Sequence, residues 1–215
     1  MKNQFKIFIM LLISIPLALG ITGCSGGGVN GEGKGTYDTG TPIVRGNVYN
    51  DTGWEYIEKG QYDSAIKYFN DVLAESPTEG EKAEANNGIG WAKTFNGRLK
   101  DGMKYFQLAS DLCDDAKVGL AAAYIQQASL SDMEEAIEIL YVQLGNSKPK
   151  FNYTSTRHTG VCNAEVHAML AYAFAATGDT ERSEEQLAYA KELQPNYEGK
   201  SLEQLFSAIE FLNNN

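Results

Sequence analysis

Residues 49–77 read YNDTGWEYIEKGQYDSAIKYFNDVLAESP, and this stretch decides the fold. Its apolar residues follow a helical period, and no run alternates polar and apolar residues over the length of a strand. Gly60 divides the stretch into two segments, since glycine ends helices by taking the left-handed conformation. Pro77 predicts the end of the second segment, because proline cannot continue a helix. The stretch therefore predicts a helical hairpin.

The same pattern returns after 37 residues. The residues shared by the two copies are Gly53 and Gly90, Trp54 and Trp91, Gly60 and Gly97, Tyr68 and Tyr105, and Phe69 and Phe106. Agreement at five positions with a single offset indicates a tandem repeat, which is the signature of a stack of similar units.

The first copy resembles the tetratricopeptide repeat. The residues that carry the resemblance are Tyr49-x₂-Thr52-Gly53-x₂-Tyr56, Ala65-x₃-Phe69 and Pro77. Thr52 departs from the family, which has an aliphatic residue in that position. The resemblance implies that Gly53 and Ala65 are small because two helices cross there. It also implies that Tyr62 and Phe69 fill the groove between hairpins.

Three further copies are weaker or less regular. They are carried by Ile89-Gly90-Trp91 with Gly102-x₃-Phe106, by Ala136-x₃-Leu140, and by His167-x₂-Leu170-Ala171-x₂-Phe174 with Gly178 and Pro195. Ser131 replaces the turn glycine of the third copy, whose first-helix register is left open. The resemblance implies an all-α, right-handed α-solenoid of about four hairpins within a domain at 46–215. The repeats fall at about 46–79, 83–115, 116–147 and 164–197.

A last helix is predicted at 201–213. Ser201 and Gln204 have capping-box spacing, in which the two side chains satisfy each other's backbone donors. The apolar residues Leu202, Leu205, Phe206, Ile209 and Leu212 follow at helical spacing. We expect this helix to cover the end of the stack, as terminal repeats of solenoids do.

The chain begins like a secreted bacterial protein. Lys2 and Lys6 precede an apolar run at 7–21 that is shorter than the roughly 20 residues of a membrane-spanning helix. Ile21-Thr22-Gly23-Cys24 resembles the lipobox of bacterial lipoproteins. The resemblance implies a cleaved signal peptide at 1–23 and a diacylglyceryl group, with acyl chains such as palmitate, on Cys24. An ordinary secretory signal with an incidental cysteine is the alternative.

Lipidation of Cys24 would place the protein on the cell envelope. Two or three acyl chains give stable anchoring, whereas one does not. Serine at position 25 resembles the pattern that directs lipoproteins to the outer membrane, facing the periplasm, in a cell with two membranes. Residues 24–45 are rich in glycine and show no hydrophobic period, so we expect a flexible tether with a reach of roughly 25 Å.

Charge and composition exclude some classes of function. The formal net charge of −10 becomes −12 once residues 1–23, with two lysines and no acid, are removed. Such a surface repels nucleic acid. The two histidines, His158 and His167, flank Cys162 without the spacing of a zinc site or a catalytic pair. We therefore expect neither an enzyme nor a cofactor nor a metal site, and we expect His167 to pack in the core.

The two remaining cysteines, Cys113 and Cys162, leave two alternatives open. An oxidising compartment permits a disulfide between them. Their positions two repeats apart favour two buried free thiols, because disulfides need Cα atoms within about 7 Å of each other.

Aromatic residues suggest where a partner binds. In the tetratricopeptide family the position after the small crossing residue of each first helix faces a concave groove. Those positions hold Trp54, Trp91 and Tyr172, with Tyr124 or Ile125 in the third copy, and we expect Asn50, Asn87 and Thr94 to share the face. Aromatic residues are frequent interface anchors. The alternative is that each aromatic packs against the neighbouring hairpin.

A second candidate is an insertion at 145–162 between the third and fourth copies. Lys148, Lys150, Arg157 and His158 make it the basic patch of an acidic chain, and Phe151 and Tyr153 lie among them. Inserted loops of repeat proteins often carry binding. Sequence drift in a tolerant loop is the alternative.

These observations favour a membrane-anchored scaffold that binds peptide segments of other envelope proteins in its groove. Assembly of outer-membrane or pilus complexes is the kind of process that the resemblance implies. The alternative is an accessory protein that binds a small envelope ligand, such as a glycan fragment, through the same tryptophans. The partner and the oligomeric state are left open.

Overall fold

The computed structural model describes residues 45–157, 159–198 and 201–214. Within these ranges the chain is helical and has no strand, so the expected all-α, tetratricopeptide-like solenoid is confirmed. The helices are α1 (Arg45–Glu58), α2 (Tyr62–Ala74), α3 (Glu79–Phe95), α4 (Leu99–Ala109), α5 (Asp114–Gln127), α6 (Leu130–Ile137), α7 (Asn163–Thr177), α8 (Thr180–Leu193) and α9 (Ser201–Asn213). The chain of α6 continues in wider, π-helical turns over Glu138–Leu144.

The helices pack as four consecutive hairpins. The pairs are α1 with α2, α3 with α4, α5 with α6, and α7 with α8, and each second helix also packs on the first helix of the next pair. The first helices α1, α3, α5 and α7 therefore follow one another through the stack. We call the surface that they contribute opposite their second helices the first-helix face.

Phenylalanine rings fill the junctions between hairpins. Phe69 on α2 is fully buried between Gly53 of its own hairpin and Gly88 of the next. A methyl group on Gly53 would stand 2.6 Å from the ring, and one on Gly88 would come closer still. Phe106 repeats the arrangement on Gly90 and Gly119, where a methyl group would stand 2.5 Å from its ring. The expected role of Phe69 in the groove between hairpins matches this packing.

The turns inside the hairpins explain why the third copy is hard to read. Gly60, Gly97 and Gly178 have φ values of 70°, 73° and 85°, the left-handed conformation expected of a turn glycine. In the third hairpin that conformation belongs to Ala128, with φ 62°, and not to the position of Ser131. A left-handed conformation costs an alanine about 1 kcal/mol relative to glycine. Ser129 follows and caps α6 by accepting from the backbone N–H of Asp132 at 3.1 Å.

The last helix, α9, lies against both helices of the fourth hairpin. Leu202, Leu205, Phe206 and Ile209 are buried, and the ring of Tyr197 meets that of Phe206 edge-on at 4.8 Å. Leu212, which helical spacing assigned to the same apolar face, is 36% exposed because the end of α9 extends beyond the helices on which it packs. The side chain of Ser201 lies outside the described residues, and so does its capping box.

Several predictions concern parts of the chain that lie outside the described residues. They are the signal peptide at 1–23, the lipidated Cys24, the tether as far as residue 44, and His158. Among the residues that the structure does describe, none of the helices has the length and apolar character needed to cross a membrane.

Gly88→Ala should lower the free energy of unfolding by about 2 kcal/mol, because the new methyl group overlaps the Phe69 ring and forces the junction apart. Gly80→Ala is the matched control in the same helix. No atom lies within 4 Å of a methyl group there, so its helix propensity should raise stability by about 0.5 kcal/mol. Urea unfolding followed by circular dichroism measures both. Equal effects at the two positions would contradict the packing of Phe69 on Gly88.

Candidate partner-binding face

The six residues predicted to bind a partner are buried within the chain. They are Asn50, Trp54, Asn87, Trp91, Thr94 and Tyr172, and the largest exposed fraction among them is 8%. In this structure they do not line an open groove, and their role in partner binding stays a prediction. The physical reason lies in the neighbours of each side chain.

The two tryptophans serve as packing residues. Trp54 meets the ring of Phe69 edge-on at 5.8 Å, and Trp91 meets that of Phe106 in the same way at 5.3 Å. Each tryptophan thus packs on the phenylalanine that fills the junction of its own hairpin with the next. Of the two positions proposed for the third copy, Ile125 is buried and Tyr124 half-buried.

The polar members of the set bond to helix backbone or lack a partner. The hydroxyl of Thr94 donates to the carbonyl oxygen of Gly90 at 2.8 Å, one turn back in α3. The amide nitrogen of Asn50 donates to the carbonyl oxygen of Glu81 at 3.2 Å and so ties α1 to α3. The Oδ1 of Asn50, both amide atoms of Asn87 and the Nε1 of Trp91 have no hydrogen-bond partner among the residues that the structure describes.

The insertion lies across the first-helix face. Residues 151–155 have no regular secondary structure, yet Phe151 and Tyr153 are only 7% and 5% exposed. Side chains of this segment and the two residues after it contact α7, α5, α3 and α1 in turn. The insertion is therefore packed against the stack of helices in this structure.

The start of the insertion is fixed to the fourth hairpin. His167, fully buried on α7, donates from Nε2 to the carbonyl oxygen of Phe151 at 2.9 Å, and its ring lies 4.4 Å from that of Phe151. Its Nδ1 lies 2.6 Å from Oε1 of Gln186, whose amide nitrogen donates to the carbonyl oxygen of Pro149 at 2.9 Å. The packing role predicted for His167 is thus accompanied by a specific one, which is to hold the insertion.

One carboxylate, that of Asp115 on α5, binds the middle of the insertion. Asp115 is 1% exposed and accepts four hydrogen bonds. The hydroxyl of Tyr153 donates at 2.5 Å, the backbone and hydroxyl of Thr156 at 3.1 and 2.8 Å, and the backbone of Arg157 at 3.1 Å. A buried carboxylate needs such donors to offset its lost hydration. Burial and the neighbouring charge of Asp115 both raise the pKa of the Tyr153 hydroxyl, which stays protonated as the donor.

The tip of the insertion reaches the first two hairpins through Arg157. Its Nε donates to Oε1 of Glu84 on α3, and another guanidinium nitrogen lies 3.1 Å from Oδ1 of Asp51 on α1. The guanidinium also stands 5.8 Å from the ring centroid of Trp54, whose Nε1 donates to the same Glu84 at 2.8 Å. A guanidinium can contact two carboxylates and an aromatic ring together because it carries several N–H donors on one planar group, whereas a lysine ammonium is a compact point charge. Trp54 thus contacts this cluster as well as the ring of Phe69.

Cys113 lies beside the same carboxylates. Its thiol is half-buried and stands 3.8 Å from Oε2 of Glu84. Burial, followed by the charges of Glu84 and Asp115, raises the pKa of Cys113 to about 12, which favours the protonated thiol. Cys113 is free, and a Cys113–Cys162 disulfide is therefore absent. The expectation of two free thiols is wrong for Cys162, which is disulfide-bonded.

The residues that sequence reasoning missed are the acidic ones. Asp51, Glu84 and Asp115 lie on α1, α3 and α5, and none of them was among the predicted binding residues. The signal that could have found them was the pairing of an acidic chain with one basic insertion. Within the described ranges no group of three or more His, Cys, Asp and Glu side chains is placed to hold a metal ion.

Comparison with protein families agrees with this architecture. Residues 46–79 match the model of the tetratricopeptide repeat family. The matched segment covers α1, α2 and the turn that follows, which is the first hairpin. No curated protein matches the chain. A tetratricopeptide repeat indicates a protein–protein interaction scaffold, and proteins with such repeats are typically not enzymes.

Asp115→Ala should lower the free energy of unfolding by about 3 kcal/mol, because four donors, one of them buried and three partly buried, lose their acceptor. Asp114→Ala, at the neighbouring exposed position, removes a surface pair with Lys117 and should cost under about 1 kcal/mol. Chemical unfolding compares the two. A loss of equal size in both variants would show that the insertion is not held by Asp115.

Proposed function

We propose that the protein is a lipid-anchored scaffold of the bacterial envelope that binds segments of partner proteins on its helical repeats. The observation that carries the proposal is the tetratricopeptide match at residues 46–79, continued by three more hairpins of the same build. The anchor and the envelope location rest on the sequence around Cys24 alone.

The first-helix face is the part of the stack that we propose for partner binding. It carries Asp51, Glu84 and Asp115, and it already holds an extended segment of the chain itself. Extended segments need backbone and charged partners of this kind to stay in place. The glycan alternative loses its main support because Trp54 and Trp91, which were to form its aromatic platform, are buried.

The anchor is tested by Cys24→Ala, which should move the protein from the membrane pellet to the soluble fraction. A non-reducing peptide map of the wild-type protein gives the second measurement. A diacylglyceryl thioether uses the sulfur of Cys24 and so leaves no thiol there for a disulfide with Cys162. Finding Cys24 unlipidated and joined to Cys162 would overturn the anchor, as would a Cys24→Ala variant that still pellets with membranes.

Partner binding is tested by photocrosslinking in cells. A photoreactive residue replaces Asn47, which is exposed on α1 one turn before Asp51, or Thr154, which is exposed on the insertion. Lys67, exposed on the second helix α2, gives the matched control. We expect a crosslinked protein from positions 47 and 154 and not from 67. Capture from 67 alone would move the binding surface to the second helices, and capture from none of them would argue against a scaffold.

A further inference from the structure

We propose that the first-helix face is a docking surface for an extended, arginine-bearing segment of a partner protein, and that the insertion occupies this surface when the partner is absent. The inference rests on the proposed function and adds to it the chemistry of the partner and the step that precedes its binding. The chain's own insertion, seated on the face, supplies the evidence for both.

The insertion is held in the manner of a bound peptide. Its contacts join residues far apart in sequence, with Arg157 lying 73 residues from Glu84 and 106 from Asp51. Phe151 contacts α7, Tyr153 contacts α5, and Arg157 contacts α3 and α1. Four helices thus bind successive residues of one extended segment.

The groups on the face define what they recognise. Asp115 takes a hydroxyl and backbone N–H groups, and two further carboxylates with the Trp54 ring take a guanidinium. Arginine satisfies Glu84, Asp51 and Trp54 together because its planar fork binds carboxylates while its face stacks on an aromatic ring. The matching partner segment carries a hydroxyl-bearing side chain and, four residues later, an arginine.

The insertion is covalently joined to the stack at both of its ends, and this determines how a partner segment competes with it. A segment joined to the stack at both ends has an effective concentration on the order of millimolar, so a free peptide that merely copies it is excluded. The apparent affinity of a partner falls in proportion to the fraction of molecules whose face is open. A partner therefore binds by making more contacts than the insertion does, and any change that releases Arg157 strengthens the binding of a short peptide.

The test uses the folded chain and a labelled peptide with the sequence of residues 150–161, KFNYTSTRHTGV. Arg157→Glu places a third negative charge beside Glu84 and Asp51 and should release the tip of the insertion. Lys148→Glu makes the same charge change at an exposed residue of the insertion away from this cluster. Fluorescence anisotropy should show binding to the Arg157→Glu protein at least about tenfold tighter than to the wild-type or Lys148→Glu proteins. A peptide with glutamate in place of its arginine should bind to none of them.

Three outcomes would overturn the inference. The first is an Arg157→Glu protein with a cooperative thermal transition that binds neither peptide; Arg157→Gln takes its place if the charge reversal prevents folding. The second is equal peptide binding by wild-type and variant proteins. The third is a wild-type dimer in sedimentation that dissociates on Arg157→Glu, which would make a second copy's insertion the occupant. In each case a crosslink from position 47 would still leave the scaffold proposal standing.

Discussion

The packing of the Phe69 and Phe106 rings against glycines of the first helices is the constraint on which the rest of the structure depends. Each ring occupies the space where a side chain of a first helix would otherwise stand, and glycines of two successive hairpins provide it. Close packing of this kind fixes the spacing between hairpins, because a well-packed core tolerates an added methyl group poorly. The first helices follow one another at this spacing, and the acidic residues on them fall into line as a result.

The carboxylates of Asp51, Glu84 and Asp115 on the first helices bind the insertion. Asp51, Glu84 and Asp115 would repel one another on an empty face, and the basic insertion neutralises that repulsion. Burial of Asp115 is possible because the insertion brings donors to it, and the insertion is ordered because Asp115 holds it. The two depend on each other, so the face and the segment that covers it form one recognition unit.

The sequence predicted the helices well and their surroundings poorly. Gly60, Ala65 and Phe69 have fixed spacings within one hairpin, and such local patterns can be read directly. The contact of Trp54 with Arg157 joins residues more than a hundred positions apart, and no local period carries that information. Family geometry placed Trp54 and Trp91 toward a groove, whereas each ring packs on a phenylalanine of its own hairpin. The left-handed Ala128 was missed for a related reason, since glycine is the usual sign of that turn.

The contact between Arg157 and Asp51 has a consequence for how the stack holds together. In a simple repeat array each hairpin touches only its neighbours, and stability is a sum of local terms that allows the ends to unravel. The insertion contacts the fourth hairpin and, through Arg157, also contacts Asp51 of the first hairpin, 106 residues earlier in the chain. The two ends of the array are therefore linked directly. Loss of an end hairpin then breaks contacts at the other end as well. The contact therefore favours unfolding of the stack as one cooperative unit.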